Sequence, residues 1–151
     1  MLKVCRFSKA NARARGNMRD LPVLRVLWEL DEMPLPWTVV TAQVDLRLGG
    51  PSLVAMRGLD GNDTPGRGLY PNVVDNERLV FTDAFTSARE PSDKAFSVVT
   101  GTLEDLGGDG TQHTARVLYW SVADREAHEK MGFHAGWALR ADQLAALVAK
   151  L

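Results

Sequence analysis

SVADREAHEKMGFHAGWALRADQLAALVAKL, residues 121–151, is the stretch on which the fold turns. It reads as one long amphipathic helix closing the chain. Ser121 followed by Asp124 resembles a capping box, in which a side-chain oxygen accepts from an unpaired helix amide while an acid meets the positive end of the dipole. At about 100° per residue, Phe133, Trp137, Leu144, Leu147, Val148 and Leu151 fall in one arc. His128, Asp142, Gln143 and Lys150 fall roughly opposite. At ~1.5 Å per residue the helix would run about 43 Å and would need a large apolar surface to cover its greasy face.

The residues before it supply such a surface. WTVVTAQVDL (37–46) alternates, with Val40, Ala42, Val44 and Leu46 on one face, as a half-buried strand does. Gly49-Gly50-Pro51 turns the chain into a strand over Leu53 to Met56, and GLDGNDTPG (58–66) is dense enough in turn residues to impose a hairpin loop. Leu69 to Val74 is a third strand, in which Pro71 removes a backbone donor and implies an edge position or a bulge. Asp75-Asn76 leads into RLVFTDAF (78–85), the strongest strand signal. A polar loop (86–94), a strand over Phe96 to Leu103, a DLGGDG turn (105–110) and TQHTARVLYW (111–120) complete the run. Upstream, Met1 to Phe7 is a short first strand. Asp20 caps a helix with Pro22 in its first turn and Leu24, Leu27 and Trp28 at helical spacing, stopped by Pro34 and Pro36. An uninterrupted run of strands bracketed by helices indicates an α+β domain with a curved antiparallel sheet, not a βαβ array.

Composition sets the bounds. With 151 residues, 45% hydrophobic and 25% charged, the chain is expected to be a single globular domain, 1–151, needing neither disulfides nor metal. A net charge of -1 argues against a broad nucleic-acid surface. Lys3, Arg6, Lys9, Arg13, Arg15, Arg19 and Arg25 do form a basic head, as an organelle-targeting segment would, yet no apolar stretch follows as a secretory signal requires. No run of eighteen apolar residues suggests a membrane span. The single cysteine, Cys5, fits a reducing, cytoplasmic location and reads as a packed or exposed thiol.

The words PWTVVTAQVDLRLGG, MRGLDG, RGLY followed by VVDNERLVFTDAF, DGTQHTARVLYW, and HEKMGFHAGW with DQLAAL resemble, in this order, the START-like SRPBCC superfamily. They match best its bacterial branch, related to the activator of heat-shock protein 90 ATPase, over about three quarters of the chain. That resemblance implies a helix-grip fold, a curved antiparallel β-sheet wrapped around a long C-terminal α-helix. Residues 11–35 depart from the family pattern. Pro51 and Ser52 stand where an Arg-aromatic pair is common, and Pro71 where an aliphatic is common.

The resemblance also implies binding of a small hydrophobic molecule in a cavity between sheet and helix. Phe133, Trp137, Ala141, Leu144 and Val148 are the helix candidates, with His134 on the flank of their arc. Leu79, Phe81, Asp83 and Phe85 share a strand face by the two-residue period, as do His113, Ala115, Val117 and Tyr119. The plainer reading of any one of these is core, as most apolar positions are. A second reading is a protein-binding, co-chaperone-like module with a chaperone or other protein as partner. A third is a small cyclase or hydrolase using Asp83 with His113 or His134. Without a nucleophile triad, paired carboxylates or a phosphate loop, a non-catalytic role is preferred, with no cofactor. His128 and His134, six apart on a helix, point in different directions and imply no metal site. Gly132 and Gly136, one turn apart, suggest a close backbone approach, either by an edge of the sheet or by a second subunit, the latter making a homodimer.

Overall fold

A computed structural model describes residues 3–13, 38–87, 90–107 and 110–148, with 3–13, 147 and 148 described by backbone alone. The helix expected from Asp20, the segment 14–35, the thiol of Cys5 and the side chain of Val148 lie outside the described residues. Segments rich in Val and Thr form strands, because β-branched side chains favour extended backbone. The strands are β1 (Lys3–Arg13), β2 (Thr38–Val44), β3 (Pro51–Arg57), β4 (Asp63–Val74), β5 (Arg78–Thr82), β6 (Phe85–Ser87), β7 (Glu90–Pro91), β8 (Ser97–Gly107) and β9 (Gly110–Tyr119). Seven of them make one sheet in the order β1-β9-β8-β5-β4-β3-β2, every pairing antiparallel, while β6 and β7 form a small separate ribbon.

Local chemistry accounts for the turns and irregularities. Gly49, Gly61 and Gly107 take positive φ at three turns, and Asn76 does so at φ 64° between β4 and β5. Pro71 sits at a register shift between Leu69 and Asn72, the bulge its missing donor predicts, although β4 is central in the sheet.

The RLVFTDAF strand ends earlier than its pattern suggests. Thr82 Oγ1 donates to the Ser97 carbonyl and accepts from the Ala84 amide, which bends the chain out of the sheet. Phe85 therefore leaves the face it was expected to share with Leu79 and Phe81 and is 41% exposed in the β6–β7 ribbon.

Two helices, not one, close the chain: α1 (Val122–Lys130) and α2 (Phe133–Val148). Ser121 is the N-cap as expected, its Oγ accepting from the Asp124 amide at 3.1 Å. Between the helices Gly132 adopts φ 95°, a conformation closed to L side chains, so the single helix over 121–151 is corrected to a kinked pair. The break resets the helical phase, so His128 faces inward rather than away from the apolar arc. Gly132 is required by its own backbone, and at Gly136 no other part of the chain comes close to where a side chain would project. Phe133 packs with Val117 and Tyr119 in a core cluster flanked by Phe96, Val99 and Trp137, which puts α2 on the inner face of the sheet. The result is an α+β helix-grip fold.

Candidate functional site

Register alone assembles the inner face. Val99 pairs with Val117, Gly101 with Ala115, and Leu103 with His113. On the next strand Leu79 pairs with Gly101 and Phe81 with Val99. Leu79, Phe81, His113, Ala115, Val117 and Tyr119 are thus brought onto one surface, with Ala115, Val117 and Tyr119 each 0% exposed. Phe133, Ala141 and Leu144 are buried on α2, and Trp137 is half-buried 6.2 Å from Phe133. The structure adds residues the pattern did not single out. Tyr70 and Leu103 join the expected Leu79 in a second cluster, with Val44, Leu46, Val73 and the expected Phe81 packed against it. Tyr70 escaped the two-residue count because the Pro71 bulge shifts the phase of β4; the signal available was Pro71 itself.

His128 is the other addition. Its Nδ1 lies 2.8 Å from the Tyr119 hydroxyl, and its ring packs on Phe96 and Phe133 at 5.5 and 5.0 Å. His134, by contrast, is exposed, its ring edge-on to Phe133. Asp83 acts as a strand anchor: its carboxylate accepts from the Phe96 amide at 3.0 Å and the Ser97 amide at 2.9 Å. Asp83→Ala leaves those amides unmet and is expected to cost about 2–3 kcal/mol, read from urea unfolding. Asp83→Asn, which keeps an acceptor, should lose less; equal stability of Asp83→Ala and the parent would contradict the anchoring role.

Burial sets the protonation of the site. It holds His113 and His128 below the usual histidine range, and it raises the Tyr70 hydroxyl, with Ser52 on β3 partly offsetting the rise. Ser52 approaches Tyr70, but no hydrogen bond of ordinary geometry forms, and Tyr70 Oη and His113 Nδ1 are both buried without a partner. The pH dependence follows. Burial disfavours protonation of both imidazoles in the native protein, whereas the unfolded chain takes up their protons near the ordinary value of 6.5. Stability is therefore full above that value and falls as pH drops below it. Unfolding midpoints at pH 7.5 and 5.5 should differ in that direction, and replacing both histidines by phenylalanine should flatten the difference; an unchanged slope in the double variant would contradict it. Among the described residues no three His, Cys, Asp or Glu side chains converge as metal ligands. None of their helices is long and apolar enough to cross a membrane.

Comparison with known proteins places this geometry. The family model described as "Activator of Hsp90 ATPase homolog 1-like protein" matches residues 23–149. A crystal structure of a protein from Nitrosomonas europaea is similar at 29% identity and TM-score 0.82, over 97% of this chain and 94% of that one. A Mycobacterium smegmatis protein shares the fold at 22% identity and TM-score 0.68, over 97% and 94% of the two chains. So does an AHSA1-like protein from Aeromonas hydrophila, at 18% identity and TM-score 0.58, over 95% and 92%. No curated protein matches the chain.

Proposed function

The chain belongs to the activator of Hsp90 ATPase homolog 1-like family, and from there we propose that it binds a small apolar molecule in the gap between sheet and C-terminal helix. The observation that carries this reading is the row through Gly101 and Ala115. Where Val99–Val117 and Leu103–His113 present bulky side chains on either side, that row offers a hydrogen and a methyl group. A Cβ at Gly101 would meet nothing closer than His113 Nε2 at 3.6 Å. Ala115 is itself 0% exposed, so in this reading the small residues give room to an apolar guest once the side chains over them, the His113 ring among them, move aside. Binding is non-catalytic in this reading, and the single cysteine fits a cytosolic setting.

A thermal-shift panel of fatty acids, flavonoids, polyketides and other apolar compounds tests it. A guest at 100 times its Kd adds about 2.7 kcal/mol to native stability, a readily measured rise in Tm. Ala115→Leu should fill the space, abolishing the shift while keeping the fold. If instead the variant loses about 1–3 kcal/mol and no compound raises Tm, the face is close-packed and the reading fails.

A second reading, recognition of another protein, is favoured by Trp120, Val122 and Met131, apolar side chains 47%, 41% and 62% exposed at the two ends of α1. Capture of the Hsp90 chaperone by the parent and not by a Trp120→Ser, Met131→Ser variant would support it.

A further inference from the structure

We infer that His113 is the polar contact for a hydroxyl group on the apolar guest, an inference that rests on the cavity reading above. The residue is only 8% exposed, and its Nδ1 is buried without a hydrogen-bond partner. Buried polar atoms are nearly always bonded, so an unmet one beside a row of small residues marks where a guest's polar group fits.

The ring reaches into the row that the guest would occupy. His113 precedes Ala115 by two residues on β9, which puts both on one face, and it stands directly across from Leu103 on β8. Its Nε2 comes within 3.6 Å of the point where a Gly101 Cβ would project, so a guest filling the space over Gly101 lies against the imidazole. Leu79 on β5, across from Gly101, and the Val99–Val117 pair in the next row bring only hydrocarbon to that space. Among these residues His113 alone carries a polar side chain. Tyr70 takes no part, since its hydroxyl lies near Ser52 on β3.

The chemistry of a neutral imidazole selects the group. Burial disfavours the charged form, so the ring offers no charge to a carboxylate. A neutral imidazole carries one N–H and one lone pair, and with Nδ1 unbonded no partner on that side fixes which nitrogen holds the proton. A hydroxyl both donates and accepts, so it meets either nitrogen in either tautomer, while a ketone meets only the N–H and a hydrocarbon meets neither. One polar contact on an apolar wall also orients the guest, its hydroxyl at His113 and its frame over Gly101 and Ala115. The expected guest is an alcohol or phenol on an apolar frame.

Binding isotherms at pH 7.5 with 2-naphthol, naphthalene and 2-naphthoate test it, together with ring-nitrogen NMR of protein carrying isotope-labelled histidine. 2-Naphthol should bind about 5-fold tighter than naphthalene, and 2-naphthoate more weakly than either. His113→Phe, which keeps a ring without nitrogens, should lose about 5- to 20-fold of the affinity for 2-naphthol while leaving naphthalene unchanged. In the unsubstituted protein, which decides the matter even if the variant fails to fold, 2-naphthol should shift the ring-nitrogen resonances of His113 and leave those of His128 and His134 in place. Equal affinity for 2-naphthol and naphthalene, a preference for 2-naphthoate, or the same His113 shift with naphthalene as with 2-naphthol would overturn the contact while the cavity stands. So would a His113 Nδ1 that is already hydrogen-bonded in the free protein and unmoved by 2-naphthol, since a trapped water would then be its partner. If neither 2-naphthol nor naphthalene binds, cavity and contact fall together.

Discussion

Truncation of Phe133 to alanine is expected to destabilise the protein by about 3–5 kcal/mol, enough to remove a large share of the stability of a domain this size. Phe133 is 3% exposed and is the first residue of α2, where it joins the two helices to the sheet. Its ring contacts His128 on α1 and Trp137 on its own helix, and it packs with Val117 and Tyr119 on β9. Losing it leaves a cavity where α1, α2 and β9 meet, and the capped, kinked geometry gives neighbours little freedom to collapse into it. Urea unfolding should show a lower midpoint at unchanged slope. A loss below about 1 kcal/mol, the range of surface substitutions, would mean that Phe133 does not bridge helix and sheet.

Gly68→Ala should be nearly as damaging, at about 3 kcal/mol, by overpacking instead of cavity formation. A Cβ on Gly68 would collide with the backbone oxygen of Thr82 and meet the Phe81 ring at 2.6 Å. The ring can swing aside, but the carbonyl belongs to β5 and cannot move without disturbing that strand, so the sheet itself must shift. Because Phe81 lies on the inner face with Tyr70, 5.8 Å between ring centres, the variant should also lose apolar guests in proportion to the displacement. Gly101→Ala is the matched control, since its Cβ would sit in ordinary contact distance of His113. Similar Tm values for the two variants would show that the close approach at Gly68 is not real.

Much of the fold is legible in the sequence because the patterns behind it are local. Alternation at 37–46 and 111–120, turn residues at 58–62 and 105–110, and the Ser121 cap each report on a few neighbouring residues, and each corresponds to an observed element, although an irregularity between Val39 and Thr41 takes Val40, 37% exposed, off the face it was expected to share with Ala42 and Val44. What was not legible depends on backbone events that change the phase of a pattern. Gly132 at φ 95° interrupts a helical arc that counts correctly on either side of it, so the count carried His128 to the wrong face. The Pro71 bulge does the same to Tyr70, and the Thr82–Ala84 bend to Phe85. Asp83 illustrates a different limit. Its apolar neighbours in sequence suggest a desolvated acid, whereas its amide partners, Phe96 and Ser97, lie 13 and 14 residues away and could not be read from the strand.

The central claim, that an apolar cavity lies over the Gly101–Ala115 row, is tested most directly without choosing a ligand. Xenon enters dry, apolar cavities and shifts the resonances of the methyl groups that line them. Methyl NMR spectra under increasing xenon pressure should show saturable shifts at Ala115, Val99, Val117 and Leu79, and none at the exposed methyls of Leu48 or Leu59. Shifts that are linear and equal for buried and exposed methyls would mean that the space between sheet and helix is filled by side chains, and the binding reading would not stand.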